Sequence, residues 1–367
     1  MTRDSLLDTD WDSAVVDRLG GAAALARSAH ETRAFLRPRA LKSAVDLLRL
    51  ILAYCLGSKG LRSTAGWAAA AGLADLSNVA LLYRLRQCGD WLAALVGQAL
   101  SAAAPKASQG RLIRILDGTT VPKAGAAAKR QSQVWRIHSA FDLPAERFGC
   151  FVLTDQQEGE RLDRIPVQPG EIRIADRAYL QAEHIAAVRE AGADIVVRAG
   201  WKSARWLDAA GDRLDLLALL RTHATDGLVD QPIRLARKSA PPLALRLIAV
   251  KKPEPAAREA RRKARRDAQR EGYTISKATL AAASWVILVT SLAPEAFSAA
   301  DGLALYRLRW RIELGFKRLK SIIGLHGPPG IDPRSAKPYV LAHLLAILLL
   351  EPLVDELEDS PRWAIAA

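Results

Sequence analysis

The chain has 367 residues, half of them hydrophobic and a quarter charged, with 53 Lys and Arg against 39 Asp and Glu for a net charge of +14. That composition excludes a disordered or fibrous protein and supplies a core for two or three domains. A pI near 10.0 points to a polyanionic partner, nucleic acid before an anionic membrane, with an ordinary basic protein as the plain alternative.

Residues 1–105 predict helices, because Ala and Leu recur at helical spacing through RALKSAVDLLRLILAYCLG and GDWLAALVGQALSAAA. Two short amphipathic pieces lie between them, with Ser63 and Ser77 at N-cap positions and Gly72 and Gly89 at C-cap positions. Helix, tight turn, helix, with Tyr83, Arg84 and Arg86 on the second piece, suits a helix-turn-helix; a small helical bundle fits as well. After the linker APKASQG the period changes. RLIRILDGTTV predicts a strand finishing near Asp117, SQVWRIHSAFDL and RFGCFVLTD an antiparallel pair joined by the turn-forming Leu143-Pro144-Ala145-Glu146, and EIRIAD a strand ending at Asp176. HIAAVREAG then predicts a helix and DIVVRAG a strand, so an antiparallel meander precedes strand-helix-strand units in a mixed sheet.

From about Gly200 the pattern is irregular, with two strands around a Pro-Pro break and a basic run. That run carries nine Lys or Arg from Lys251 to Arg270 against three acids. It reads as a solvated helix, a disordered loop or a phosphate contact. SWVILVTSL predicts a further strand, and Pro294 to about Gly324 a long helix. Tyr339 to Leu350 is strongly apolar but broken by His343 and short of the roughly 20 residues of a membrane span, so it predicts a buried helix. Cys55, Cys88 and Cys150 stand far apart, and the acidic opening MTRDSLLDTDWDSAV lacks an apolar signal core. Together they imply a reducing interior rather than a disulfide framework or a zinc cluster.

Three carboxylates stand out. Asp117 and Asp176 each follow an apolar strand, at the edge where ligands gather in open α/β sheets, although either could be a helix cap. On the long helix Tyr306, Arg309, Glu313 and Lys320 share one side at steps of three, four and seven, opposite an apolar stripe from Leu305 to Ile323. A surface helix whose Glu neutralises basic neighbours would look the same. Three converging carboxylates need a cation, and hard oxygen ligands favour Mg²⁺ or Mn²⁺, of which two can grip a phosphodiester.

Asp117-Gly-Thr-Thr, Asp176-Arg-Ala-Tyr179 and Tyr306-x2-Arg309-x3-Glu313-x6-Lys320 resemble the DDE transposases of insertion-sequence family four, the group with the Tyr-Arg-Glu-Lys signature. The resemblance runs from about Leu112 to Lys320. It departs at Ala178, where a glycine is usual, and in the short segment after Lys320. It implies an α/β fold: an RNase H-like mixed-sheet catalytic core with a β-rich insertion, behind an all-helical N-terminal domain. The implied organisation is a helical DNA-binding domain over 1–105, core parts over 111–199 and 291–367, and an insertion over 200–290 with the basic segment 251–270. Asp117, Asp176 and Glu313 would hold Mg²⁺, with Mn²⁺ as a substitute. Tyr306, Arg309 and Lys320 would hold phosphates beside the cut. Trp285 would stack on a flipped base, or else simply fill the core.

The implied activity is cutting at terminal inverted repeats and joining of the 3′-hydroxyl ends to target DNA. The partners are double-stranded DNA and a second copy in a synaptic homodimer. The expected location is the cytoplasm, on the nucleoid, with no membrane. An RNase H-like nuclease without strand transfer and a non-catalytic, transposase-derived DNA-binding repressor are the alternatives.

Overall fold

The computed structural model describes residues 11–57, 59–103, 110–122, 134–143, 147–155, 157–309 and 332–358. Short helical turns (Asp12–Val16 and Asp17–Leu19) lead into α1 (Gly21–Glu31), α2 (Ala44–Leu56), α3 (Leu61–Ala70), α4 (Asn78–Gln87) and α5 (Gly89–Ala103). Ser77 caps α4 as expected, its hydroxyl accepting from the Ala80 N–H at 3.1 Å, and Gly72 closes α3 in the left-handed region at φ 66°.

Two expected caps are corrected. Ser63 lies inside α3, because the helix winds a turn earlier, from Gly60, whose carbonyl accepts from both the Thr64 N–H and hydroxyl. Gly89 opens α5 rather than closing α4; α4 ends at Cys88, and the Cys88 carbonyl already accepts from Leu92. The connection between α3 and α4 runs from Ala71 to Ser77, longer than the roughly three or four residues of a tight helix-turn-helix.

A nine-stranded sheet follows, in the order β3-β2-β1-β4-β5-β9-β8-β7-β6. Its strands are β1 (Ile113–Pro122), β2 (Val134–Asp142), β3 (Arg147–Asp155), β4 (Ile172–Ala175), β5 (Asp194–Arg198), β6 (Trp206–Leu207), β7 (Leu228–Leu235), β8 (Leu243–Lys251) and β9 (Trp285–Thr290). β1, β2 and β3 form the antiparallel meander, and β1, β4 and β5 run parallel. That five-strand arrangement is RNase H-like. β9 pairs antiparallel with both β5 and β8, so the strands expected in the insertion extend the core sheet.

Between strands lie α6 (Ala182–Glu190), α7 (Leu216–Thr222), α8 (Glu254–Arg270), α9 (Lys277–Ala283) and α10 (Ala299–Arg307); α11 (Pro333–Glu358) ends the described chain. The helix expected from Pro294 starts at Ala299 instead. Ser298 and Asp301 form a capping box there, each side chain accepting from the other's backbone N–H, which sets the boundary.

Alternating strand residues feed two cores. Ile115, Ile137, Ile174, Val196 and Leu288 join one with α2, α5 and α11, while Leu116, Ala175, Ile195, Val197 and Ile287 join the other with α6 and α7. The sheet is thus buried on both faces, which is why its parallel strands are largely apolar, with Arg114 and Arg173 buried among them. Tyr339 to Leu350 falls within α11, where Val340, Leu344, Leu345 and His343 are buried; among the described residues no helix is long and apolar enough to cross a membrane.

Candidate active site

The parallel register brings the two aspartates together. Ile113, Arg114 and Ile115 of β1 lie opposite Ile172, Arg173 and Ile174 of β4, and β4 lies in turn opposite Asp194 to Val197 of β5. Carrying both registers forward by one or two residues sets Asp117, Asp176 and Arg198 in one row across three neighbouring strands. Ile115, Ile174 and Val196, two residues earlier, belong to the core shared with α2, α5 and α11, so the row sits on that face. Both carboxylates also act on the buried phenol of Tyr179, which burial and the charges of Asp117, Glu160 and Asp176 push far up.

Asp117 does not end its strand, a correction to the sequence reading. Gly118 to Pro122 continue β1 opposite Val134 to His138 of β2, and Asp117 itself faces Ser139. The run Thr119-Thr120-Val121 suits a strand, and Gly118 fits because Glu160, paired with Arg136, would lie 3.1 Å from any Cβ there. Asp117 is nevertheless reachable, because β4 stops at Ala175 and leaves that side of β1 unpaired beyond it. Asp176 does end its strand, and it is also a cap. Its Oδ1 accepts from the Ala178 N–H at 2.8 Å, closing the 3-10 turn Arg177–Tyr179, and its Oδ2 has no hydrogen bond among the described residues. Ala178 needs no glycine, since Arg33 is the one non-glycine residue with positive φ among those described.

α10 supplies the cationic side. Leu303, Leu305 and Tyr306 pack on the core, and the turn that follows carries Arg309 to the row. Arg309 Nη1 stands 3.8 Å from Asp117 Oδ2, and its guanidinium lies 6.0 Å from the centre of the Tyr306 ring. Asp117, Tyr306 and Arg309 therefore meet, with Asp176 level with Asp117 on the next strand; Glu313 and Lys320 lie outside the described residues. Trp285 does not join them. It is 7% exposed and packs in the opposite core, so stacking on a base would require its withdrawal from there.

Arg198 was not singled out by periodicity. The available signal was the parallel between EIRIAD and DIVVR, two short strands whose ends fall in register.

Chemically, neighbouring carboxylates with a guanidinium at a loose 3.8 Å suit a hard divalent cation facing a phosphate. Carboxylate oxygens are the donors such a cation takes, and no thiol or imidazole stands in the row. The described residues hold no group of three metal-ligating side chains, and the expected third ligand, Glu313, is not among them.

This sheet order, with Asp117 and Asp176 level on neighbouring parallel strands, is that of an RNase H-like core. Residues 108–349 match the transposase DDE domain, and the chain belongs to that family, whose members act on DNA. It is 36% identical over 359 residues to the InsL transposase assigned to insertion sequence element IS186A of Escherichia coli strain K12, with 96% of each chain covered. It is also 36% identical over 360 residues to the transposase for insertion sequence element IS421 of Escherichia coli, again over 96% of each.

Proposed function

We propose that the chain is the transposase of an insertion sequence of family four. In this reading it cuts at terminal inverted repeats and joins the freed 3′-hydroxyls to target DNA by two-metal phosphoryl transfer. The observation that carries this reading is the row of Asp117 and Asp176 with Arg309 and Tyr306 beside it. Likeness along 96% of the IS186A and IS421 transposases supports the insertion-sequence assignment.

Asp117, Asp176 and Glu313 hold the divalent cations, Mg²⁺ with Mn²⁺ as a substitute. When bound, these supply an activated water or hydroxyl and stabilise the leaving oxygen. Arg309 donates to the phosphate flanking the cut, with the Tyr306 ring limiting its wandering, and Lys320 adds a second cation. The N-terminal helices bind the terminal repeats. In support, Val79 and Tyr83 stand one turn apart on α4 and are 69% and 63% exposed. Arg86, by contrast, is tied to Asp332 at 2.8 Å and faces inward toward α11. Synapsis of two ends calls for two copies.

The test pairs wild type with Glu313→Gln on a duplex carrying the element's own terminal repeat, in Mg²⁺. Wild type should nick at the repeat boundary and join the new end to target DNA; the variant should bind equally and do neither. Nicking without joining would make the chain a nuclease, binding without cutting by both a repressor, and equal cutting would remove Glu313 from the site.

A further inference from the structure

Beside the carboxylate row, a cavity of about 400 Å³ opens between β5, β8, β9 and α10. Its walls carry Arg198, Lys251, Lys252, Arg307 and Arg309, and no acid among the described residues. Its floor is apolar, from Val250, Val286 and Leu303. A second cavity, of about 530 Å³, shows what a structural grouping looks like. There Arg246 is held by Asp230 through two contacts of 2.6 Å, and Arg189 pairs with Asp194. In the first, Arg309 stands 3.8 Å from Asp117. Arg198 and Arg307 have no hydrogen-bond or ion-pair partner among the described residues.

Both lysines are instead aimed by neutral groups. Lys251 Nζ donates to the Ala224 carbonyl and Lys252 Nζ to the Ala283 carbonyl, each at 2.8 Å. One bond each leaves further N–H donors on both ammoniums. Burial and the neighbouring Arg198 already pull the Lys252 ammonium below its ordinary value. Cations gathered this way raise the folded state's energy unless an anion joins them.

Pro253 lines the same cavity and immediately precedes α8. That helix extends about 25 Å at about 1.5 Å per residue. Glu254, Glu259 and Asp267 pair with Arg261, Arg262, Arg266 and Arg270. Arg258, Lys263 and Arg265 are left without an acidic partner among the described residues, Arg258 and Arg265 on one side of the helix.

We propose that this cavity binds the phosphodiester backbone of one DNA strand leaving the carboxylate row, and that the strand continues along Arg258 and Arg265 of α8. The fit is chemical. Arg198, Lys252 and Arg307 receive phosphate oxygens, an apolar floor lies under the sugar, and the volume lies within the roughly 300–1,000 Å³ of ligand pockets. The identity of the DNA rests on the transposase reading; the phosphate site rests on the cavity.

The test measures binding of full-length protein to a duplex spanning the terminal repeat and its flank, in EDTA, over a salt series. Lys252→Gln and Arg307→Gln should each make the slope of log K against log salt shallower by about 1, and Lys252→Arg should restore it. Lys238→Gln, near the opposite end of β8, should leave the slope unchanged. Phosphate ethylation interference on wild type should mark phosphates beside the cut, and Lys252→Gln should remove one or two of them from the pattern. Unchanged slopes and an unchanged pattern in a wild type that binds and nicks would overturn the cavity site alone. A wild type that binds no repeat DNA at any salt would overturn both readings.

Discussion

At the N-terminal ends of β1, β4 and β5, Arg114 meets Asp142 at 2.7 and 3.0 Å and Glu171 at 3.1 Å, and Arg173 meets Glu171 at 2.5 Å. These four side chains are no more than 6% exposed. Nearby, Arg111 and Arg189 close on Asp194, which also accepts from the Ser291 hydroxyl at 2.7 Å. At the C-terminal ends of β4 and β5, level with the middle of β1, Asp117, Asp176 and Arg198 form a row whose nearest described ion pair is the loose contact with Arg309 at 3.8 Å. Beyond it the cavity gathers further unneutralised cations. One end cancels its charges within the chain and so joins strands that share few backbone bonds. The other leaves charges of both signs to be met from outside, cations for the carboxylates and phosphates for the guanidiniums. Stability and function are thus separated along a few residues of the same strands, which makes the contrast testable.

The largest effect should come from the open end. Asp117→Asn keeps the side-chain acceptor for the Gly118 N–H, now at 2.8 Å, and removes one of two adjacent negative charges. Cleavage of terminal-repeat DNA should fall by about 10³-fold or more, while the urea midpoint stays level or rises. A variant that lost stability and kept its rate per folded molecule would place Asp117 with the structural charges instead. The closed end should behave in reverse. Glu171→Gln leaves Arg173 and Arg114 facing a neutral amide in the interior, a loss of about 3–5 kcal/mol by urea denaturation, with cleavage per folded molecule unchanged. A loss below about 1 kcal/mol would mean that the arginines find other partners, for Arg173 the carbonyls of Leu162 and Pro166 that it already meets.

Much of this was legible in the chain. Alternating and continuous apolar runs marked the meander and the parallel strands, and the two aspartates stood out because each follows such a run. What was hidden depends on partners distant in sequence. Gly118 read as a turn because only pairing with Val134 to His138 shows that β1 continues. Arg198 drew no notice in DIVVRAG because its place beside Asp176 exists only in the parallel register. Lys251 and Lys252 were counted with the basic run that follows, although they belong to the cavity beside β9 and α10. Trp285 fitted a stacking platform by position and a core residue by type, and burial separates the two. Local signals find strands and charges; whether a charge is cancelled is a tertiary property.

The smallest effect sharpens the contrast from behind the row. His138, on β2 opposite Gly118, is 2% exposed on the far side of the sheet from the carboxylates. Its Nε2 contacts the Thr154 hydroxyl at 2.8 Å, and its Nδ1 has no partner among the described residues. Burial first, then the charges of Arg164 and Arg136, against the weaker pull of Glu158, lower its pKa from 6.5 to about 4. The folded state therefore keeps the ring neutral where the unfolded chain protonates it. Its contribution is intact above about pH 6.5 and is lost as the pH falls toward 4, up to about 3 kcal/mol at about 1.4 kcal/mol per unit. His138→Gln retains a polar group for Thr154 without the titration. Between pH 7.5 and 4.5 wild type should lose up to that much more stability than the variant, as read from urea midpoints. Equal losses would mean that the histidine behind the row is a bystander.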